Sequence, residues 1–557
     1  MNFRSKLLTL VAVLACTSGS YIAEACTGLI VGRKASADGS VIISYSADSH
    51  VLYGELYHWD ARKWAPNSRL NIVEWDTGKP SGHSIPQVAQ TYNVVGNMNE
   101  KQVAITESTF GGREELVNPE GIMDYGSLIY VTLQRAASAR EAIDIMGKLV
   151  EEYGYCSSGE SYSIADKNEV WVMEMIGKGP GRKGAVWVAI RIPDDCISGH
   201  ANQARIQNIP FADKENCVYS KDVVSFAREK GYFKGKDSEF SFQKAYAPYD
   251  FGALRGCEAR VWSFFNRFVD GMDKYLPFVM GQEMDATPMP LYMKPNRKVS
   301  VQDVQNMMRD HYEDTPMDMT KDVGAGPYAC PYRWRPMHFE VEGKQYLNER
   351  AIATQQTGFV LVAQLRNYLP DYVGGVLWFG VDDADMCVFT PQYCSITSVP
   401  DCFKVGNGDL LEFSWTSAFW MHNWVANMAY HKYSYMIKDI RKVQGELENK
   451  FFAMQPMIEK YAMELAKNGS EKDAVEFLTN YSTTEANGAT ARWRKLGEYL
   501  VVKYIDGNVK KEKDGKFERT ADNYPVSPSQ PGYDPNFYKA IAENAGDRLL
   551  VGPAKTK

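Results

Sequence analysis

The stretch Cys26-Thr27-Gly28-Leu29-Ile30-Val31-Gly32 has the apolar, β-branched composition of a buried strand. Val41-Ile42-Ile43 has the same composition, and the turn residues Ser36, Asp38 and Gly39 lie between the two runs. The pattern therefore predicts a β-hairpin. Pairing its arms about residues 36–37 places Cys26 opposite Ala47, so the next residue, Asp48, falls beside Cys26.

The residues before this hairpin have the features of an export signal. Arg4 and Lys6 form a basic start, residues 7–15 form a short apolar segment, and Ala23-Glu24-Ala25 is an A-x-A cleavage triplet. We therefore expect residues 1–25 to be a signal peptide, or a signal plus a short pro-segment, and the mature protein to be periplasmic or extracellular. Cleavage after Ala25 would make Cys26 the mature N-terminus. Lipid attachment at Cys16, within an imperfect lipobox, is the alternative left open.

The composition narrows the class of protein. The 557 residues are 45% hydrophobic and 12% aromatic, which is enough for a large core. A net charge of -7 argues against a nucleic-acid partner, and no later apolar run has the roughly 18 residues needed to span a membrane. The histidines and cysteines show no zinc spacing, so we expect no metal and no cofactor. The cysteines after Cys26 permit disulfides without defining a pairing.

The order of predicted elements indicates two regions and a tail. Strands and helices alternate over residues 26–404, which predicts a layered α/β or α+β body. Residues 405–507 are predicted to be helical, with separate helices over residues 472–481 and 489–504. Residues 508–557 are charged and then rich in Pro and Gly, which predicts a surface arm or a partly disordered tail.

Cys26 is the strongest candidate for chemistry. A buried strand cysteine is the ordinary interpretation. An N-terminal cysteine, however, carries a thiol and a free α-amine, and that amine has a reference pKa of about 7.7–8.0, so it can serve as the base that activates the thiol. Asp48 is either a strand-end residue or the carboxylate that orients this amine.

Two polar side chains further along the chain are weaker candidates. Asn202 lies in a turn-like segment and is either a loop residue or an amide that stabilises an oxyanion. Arg260 is either part of a surface ion pair or a cation that holds the thiolate or a substrate carboxylate.

The segment Cys26-Thr27-Gly28-Leu29-Ile30-Val31-Gly32-Arg33-Lys34-Ala35-Ser36-Ala37-Asp38-Gly39-Ser40 resembles the mature start of cysteine dipeptidases of the dipeptidase A type. These are N-terminal nucleophile hydrolases, distantly related to bile salt hydrolase, penicillin V acylase and acid ceramidase. Three further segments support the resemblance in chain order: residues 99–109, 200–206 and 258–262.

The resemblance implies an α+β fold, a four-layer αββα sandwich with a helical C-terminal region. It also implies that Cys26 is the nucleophile and its amine the base, that Asp48 is the acidic residue after the second strand, and that Asn202 forms the oxyanion hole. Arg260 matches a downstream active-site arginine, and Thr109 lies near where relatives place another oxyanion or substrate-contact residue. Many relatives carry an arginine where this chain has Tyr45, so the source of charge near the sulfur differs here.

The sequence therefore predicts an exported cysteine peptidase that hydrolyses dipeptides through a thioester at Cys26. A dipeptidase must also bind a substrate α-ammonium, for which Asp48 and Glu107 are candidates; Tyr45 and Thr109 complete the predicted substrate contacts. Two alternatives remain: a non-peptidase N-acyl amidase with the same mechanism, and a lipidated, non-catalytic envelope binding protein. The expected partners are small peptides, and a homo-oligomer is left open.

Overall fold

The computed structural model describes residues 26–552. The predicted signal peptide, its A-x-A triplet and the lipidation candidate Cys16 lie outside the described residues, as do residues 553–557. Within residues 26–552, none of the helices combines the length and apolar character needed to cross a bilayer.

The strands, in chain order, are β1 (Gly28–Val31), β2 (Val41–Asp48), β3 (His58–Trp59), β4 (Arg62–Lys63), β5 (Arg69–Val73), β6 (Pro80–Pro86), β7 (Gln90–Thr91), β8 (Val94–Val95), β9 (Met98–Asn99), β10 (Ala104–Gly111), β11 (Gly159–Ala165), β12 (Val170–Gly177), β13 (Ala185–Ile192), β14 (Ile197–His200), β15 (Cys217–Tyr219), β16 (Tyr292–Met293), β17 (His338–Val341), β18 (Lys344–Leu347), β19 (Thr357–Leu365), β20 (Gly375–Val381), β21 (Thr390–Tyr393), β22 (Glu512–Lys513) and β23 (Lys516–Phe517).

The α-helices are α1 (Tyr125–Leu133), α2 (Ala139–Tyr153), α3 (Val223–Glu229), α4 (Phe242–Tyr246), α5 (Ala259–Phe268), α6 (Leu276–Val279), α7 (Val301–Met307), α8 (Asp371–Gly374), α9 (Ala418–Tyr430), α10 (Tyr433–Asn468), α11 (Glu471–Tyr504) and α12 (Pro535–Ala545). A π-helical turn over Ala253–Glu258 leads directly into α5.

The hairpin at the start of the described chain has the predicted register. Ile30 pairs with Ile43, and Thr27 forms an isolated bridge with Ser46. Continuing this antiparallel register places Cys26 opposite Ala47, as the turn position predicts. Every residue of β1 and β2 is buried, which explains why most of their residues are apolar or small.

Two antiparallel sheets contain most of the strands. The seven-stranded sheet has the order β16-β14-β1-β2-β19-β20-β21, so the hairpin lies at its centre. The eight-stranded sheet has the order β15-β13-β12-β11-β10-β9-β8-β3. The sheets contact each other where β1 and β2 meet β10 and β11; for example, Thr106 Oγ1 donates to the Ser44 carbonyl at 3.4 Å.

Helices pack against both sheets. Helices α1 and α2 pack against the eight-stranded sheet and share a hydrophobic cluster with it, while α5, α7, α9, α10 and α11 contact the seven-stranded sheet. The fold is thus a mixed α/β fold with antiparallel sheets and a helical C-terminal region. Leu500 of α11 and Cys26 belong to one continuous hydrophobic cluster, so the C-terminal helices complete the core around that sheet. The boundary after residue 404 stays a prediction.

The prediction of two helices at residues 472–481 and 489–504 is wrong, because α11 runs unbroken through Gly488. A glycine inside a helix costs about 1 kcal/mol relative to alanine, which burial of the neighbouring turns can outweigh. Ala486, Ala489 and Thr490 are buried around it, and Gly488 itself is exposed.

Residues 508–552 lie mainly on the surface. They form the short β22–β23 hairpin and α12, no residue of which is buried. The eight cysteines that follow Cys26 within the described chain are all free thiols: Cys156, Cys196, Cys217, Cys257, Cys330, Cys387, Cys394 and Cys402.

Candidate active site

Cys26 immediately precedes β1, with only 3% of its surface exposed. Its Sγ lies 3.5 Å from Glu107 Oε1 and 3.7 Å from Tyr45 Oη, both within the range of a thiol hydrogen bond. Tyr45 comes from β2 and Glu107 from β10, so the contact between the two sheets brings these side chains to the sulfur. The structure therefore brings together Cys26, Tyr45 and Glu107, which sequence analysis singled out separately.

A buried acidic network extends from this point into the eight-stranded sheet. Tyr45 donates a hydrogen bond to Glu107, which also shares a hydrogen bond with Glu160 of β11. Two carboxyl groups can hydrogen-bond to each other only if one of them holds a proton. Accordingly, burial raises the pKa of Glu107, and burial together with the negative neighbours raises the pKa of Tyr45 well above its ordinary value.

Thr109 lies in the same network, because its Oγ1 donates to Glu160 Oε1 at 2.6 Å. Thr109 pairs directly with Glu160 across the β10–β11 ladder. Sequence analysis missed Glu160. The signal that could have found it is a charged residue within a short strand that is buried throughout, since such residues are rarely fully buried without a partner.

Asn202 follows β14 and is held by contacts with β10 and α5. Its φ of 55° is in the left-handed region, which asparagine tolerates better than most residues. Its Nδ2 donates to the Thr109 carbonyl at 2.7 Å, its backbone N–H donates to Ser108 Oγ at 3.3 Å, and its Oδ1 accepts from Arg260 Nη2 at 2.8 Å. The amide therefore has a defined orientation between the two sheets.

Arg260 of α5 uses all five of its N–H donors within the protein. Nε donates to the Gly256 carbonyl, Nη1 to the Cys26 carbonyl and Thr27 Oγ1, all at 2.8 Å. Nη2 donates to the Ala201 carbonyl at 3.1 Å and to Asn202 Oδ1. A guanidinium has five donors, so these contacts are those of a residue that positions Cys26 and Asn202, with no N–H left for a substrate carboxylate.

Asp48, at the end of β2, is buried with only 1% of its surface exposed. Its Oδ1 accepts from Thr357 Oγ1 at 2.7 Å, and its Oδ2 accepts from Ser46 Oγ at 3.0 Å and forms an ion pair with Arg350. Thr357 is the partner of Asp48 in the β2–β19 ladder, whose register shifts between Thr357 and Phe359. Burial raises the pKa of Asp48, and Arg350 opposes this effect.

Arg350 is a residue of the site that sequence analysis missed. Burial and the nearby Arg260 lower its pKa to about 9, and the charges of Asp48 and Cys26 act in the opposite direction. Arg350 is 302 residues from Asp48 in the chain, so no local pattern connects them. It supplies a cation within electrostatic range of Cys26, in a chain that has Tyr45 where relatives are expected to carry an arginine.

The site thus contains a thiol between a buried carboxyl pair and two buried arginines. Such a site can stabilise both an attacking sulfur and the charged ends of a small zwitterion. Over residues 26–552, no three His, Cys, Asp or Glu side chains are grouped so as to hold a metal ion.

Comparison with known proteins places the chain in a family. It matches peptidase family C69 over residues 25–69 and 66–446, and it therefore belongs to this family. A "Probable dipeptidase" of Latilactobacillus sakei is 28% identical over 82% of this chain and 90% of its own length. "Dipeptidase A" of Lactobacillus helveticus is 26% identical over 76% of this chain and 84% of its own length. The resemblance to the dipeptidase A type and the prediction of a cysteine-type peptide-bond hydrolase are confirmed.

Proposed function

We propose that this peptidase is an exported dipeptidase whose nucleophile is Cys26, exposed as an N-terminal residue when residues 1–25 are removed. The observation that carries the proposal is the position of Cys26 Sγ, 3.5 Å from Glu107 Oε1 at the start of the first strand. The contact between the two sheets, with helices on each, supports assignment to the four-layer αββα sandwich of N-terminal nucleophile hydrolases.

In the proposed mechanism, the α-amine of Cys26 accepts the thiol proton and the thiolate attacks the peptide carbonyl. Asn202, held by its Nδ2 bond to the Thr109 carbonyl and its Oδ1 contact with Arg260, is the side chain we assign to stabilising the oxyanion. The protonated amine then donates its proton to the leaving amino group as the C–N bond breaks. Water, activated by the same amine, hydrolyses the thioester and restores the thiol. Asp48 and Arg350 set the charge around these steps.

Glu107 is suited to bind the α-ammonium of the substrate. In a free dipeptide this nitrogen is separated from the attacked carbonyl carbon by one atom, a distance of about 2.5 Å. A carboxylate 3.5 Å from the attacking sulfur can therefore reach the ammonium while the sulfur reaches the carbon. This favours cleavage of peptides with a free N-terminus.

Replacement of Glu107 by Gln is expected to lower kcat/KM for free dipeptides by roughly 10- to 100-fold, the effect of losing a charge-assisted hydrogen bond. N-acetyl dipeptides, which lack the ammonium, should be cleaved slowly by both proteins.

Burial raises the pKa of Glu107, so the wild type should also lose its preference for free dipeptides as pH falls through that raised pKa, and E107Q should not. Steady-state kinetics across pH measure both effects. Glu151→Gln, at an exposed position of α2, is the control; an unchanged preference in E107Q would contradict the assignment.

The mature N-terminus and a substrate panel test the proposed function itself. Intact mass of the exported protein is expected to correspond to a chain that begins at Cys26, and the protein is expected to hydrolyse free dipeptides faster than N-acyl amino acids. A diacylglyceryl-modified chain that begins at Cys16 would exclude the free-amine mechanism and favour an anchored binding protein. Preference for N-acyl substrates would favour the amidase alternative.

A further inference from the structure

Arg335 lies in a loop that is held in place on both sides. Arg333 Nη2 donates to the Met319 carbonyl at 2.9 Å, and Asn348 Nδ2 donates to the Pro336 carbonyl at 3.0 Å. The ring of Trp334 packs edge-on against Tyr430, with 5.2 Å between the ring centroids. These contacts order the backbone before and after Arg335, so its side chain starts from a defined position.

The same loop is tied to the candidate active site through three consecutive residues. Gln355 Nε2 donates to the Arg333 carbonyl at 2.9 Å, Gln356 Nε2 donates to the Asp48 carbonyl at 3.2 Å, and Thr357 Oγ1 donates to the Asp48 carboxylate. The loop that carries Arg335 is therefore connected by hydrogen bonds to the segment that holds Asp48. Asp48 in turn follows Ala47, which lies opposite Cys26.

The guanidinium of Arg335 is half-buried, and its Nη2 is enclosed without a hydrogen-bond partner among residues 26–552. An enclosed guanidinium N–H without an acceptor is costly, and such groups in proteins usually have a ligand or water as partner. Arg260 differs, because all of its donors are used within the protein. Arg335 thus has an enclosed donor, within electrostatic range of Asp48, that no described side chain occupies.

The charges around Arg335 favour an anion. It lies within electrostatic range of Asp48, Arg260, Arg350 and His50. Burial and the repulsion from Arg260 lower the pKa of Arg335, while Asp48 counteracts them. Arg260, Arg335 and Arg350 all lie within electrostatic range of Asp48, and Arg350 already forms an ion pair with it. The net positive charge that remains can be neutralised by a substrate carboxylate.

We propose that Arg335 binds the α-carboxylate of the substrate's C-terminal residue. The inference rests on the proposed function and names the second end of the substrate, opposite the ammonium assigned to Glu107. In a dipeptide three bonds separate the carboxylate carbon from the attacked carbonyl carbon, a distance under about 4 Å. Recognition of both ends close to the nucleophile would limit cleavage to dipeptides. A planar guanidinium suits bidentate binding of such a carboxylate.

Dipeptides and their own C-terminal amides test this inference, with release of the N-terminal amino acid as the readout. The wild type is expected to prefer the free acid by roughly 10- to 100-fold in kcat/KM, and Arg335→Gln should reduce this preference to about threefold or less while cleavage of the amide is retained. Calorimetric titration of the same pair of ligands into Cys26→Ala protein, with and without R335Q, should show the same loss of discrimination without turnover.

An acid-to-amide preference that R335Q leaves unchanged would overturn the inference. If R335Q does not fold, Arg335→Lys retains the charge without the planar fork and should still lower the preference by about threefold or more; an unaltered preference in R335K would overturn the inference equally. Arg494→Gln, on the surface of α11, is the matched control. Failure of the proposed function would be distinct, because the wild type would then cleave no dipeptide, or C26A would remain active.

Discussion

Replacement of Cys26 by alanine is expected to lower dipeptide hydrolysis by at least about 10³-fold, since the acyl-enzyme cannot form without the sulfur. The α-amine, Asn202 and the arginines all remain in this variant, so any residual rate would measure catalysis by water in the intact site. Release of amino acids from a free dipeptide measures the loss, and trapping of a thioester by mass spectrometry in the wild type provides a second readout.

Cys156→Ala is the matched control for this experiment, because Cys156 is a half-buried free thiol whose charged neighbours are Asp124 and Glu74. It should retain wild-type kcat and KM. The thermal midpoints of both variants should lie near that of the wild type, since a cysteine-to-alanine change removes one atom. Full turnover by C26A would mean that another group is the nucleophile.

Replacement of Arg350 by Met is expected to destabilise the protein by about 3–5 kcal/mol, because it leaves the buried Asp48 without its cation. The loss should depend on pH. Burial already raises the folded-state pKa of Asp48 above its unfolded value, and removal of Arg350 raises it further. The added cost is therefore absent below the folded-state pKa of Asp48 in the wild type and complete above the still higher folded-state pKa in the variant. Chemical denaturation at about pH 5 and about pH 8 should show the larger loss at the higher pH.

The double variant Asp48→Asn/Arg350→Met separates the charge from the packing. Removal of both charges should recover at least about half of the stability lost in R350M, because no uncompensated carboxylate remains. Arg494→Met, at an exposed position of α11, should change stability by about 0.5 kcal/mol or less. If R350M were as stable as the wild type at both pH values, the ion pair would not hold the end of β2 in place.

Elements whose signals are local were predicted closely. The β1–β2 hairpin follows from two apolar runs around a turn, and its register follows from the position of that turn. The predicted break within α11 is wrong. A local penalty against helix, such as that of Gly488, does not depend on how much surface the neighbouring turns bury.

The candidate site divides in the same way. Cys26 and Asp48 were identified from the hairpin, and Glu107 from the chemistry that a free dipeptide demands. Arg350 and Arg335 carry no local pattern, because an arginine in a loop has the same sequence signature whether it lies in solvent or beside a buried carboxylate. Burial distinguishes both, together with the ion pair between Arg350 and Asp48 and the charge interaction between Arg335 and Asp48.

The sequence by itself determined the central hairpin, the residue at its start and the family, because these depend on neighbours along the chain. The tertiary structure decided which charges surround Cys26. Packing of β10 against the hairpin brings Glu107 to the sulfur. Hydrogen bonds within the protein use every donor of Arg260, and the fold places Arg350 and Arg335 near Asp48. Charge interactions strengthen as water is excluded. The interactions among the charged groups around Cys26 are therefore strong only when the two sheets and the distant loops are folded against one another.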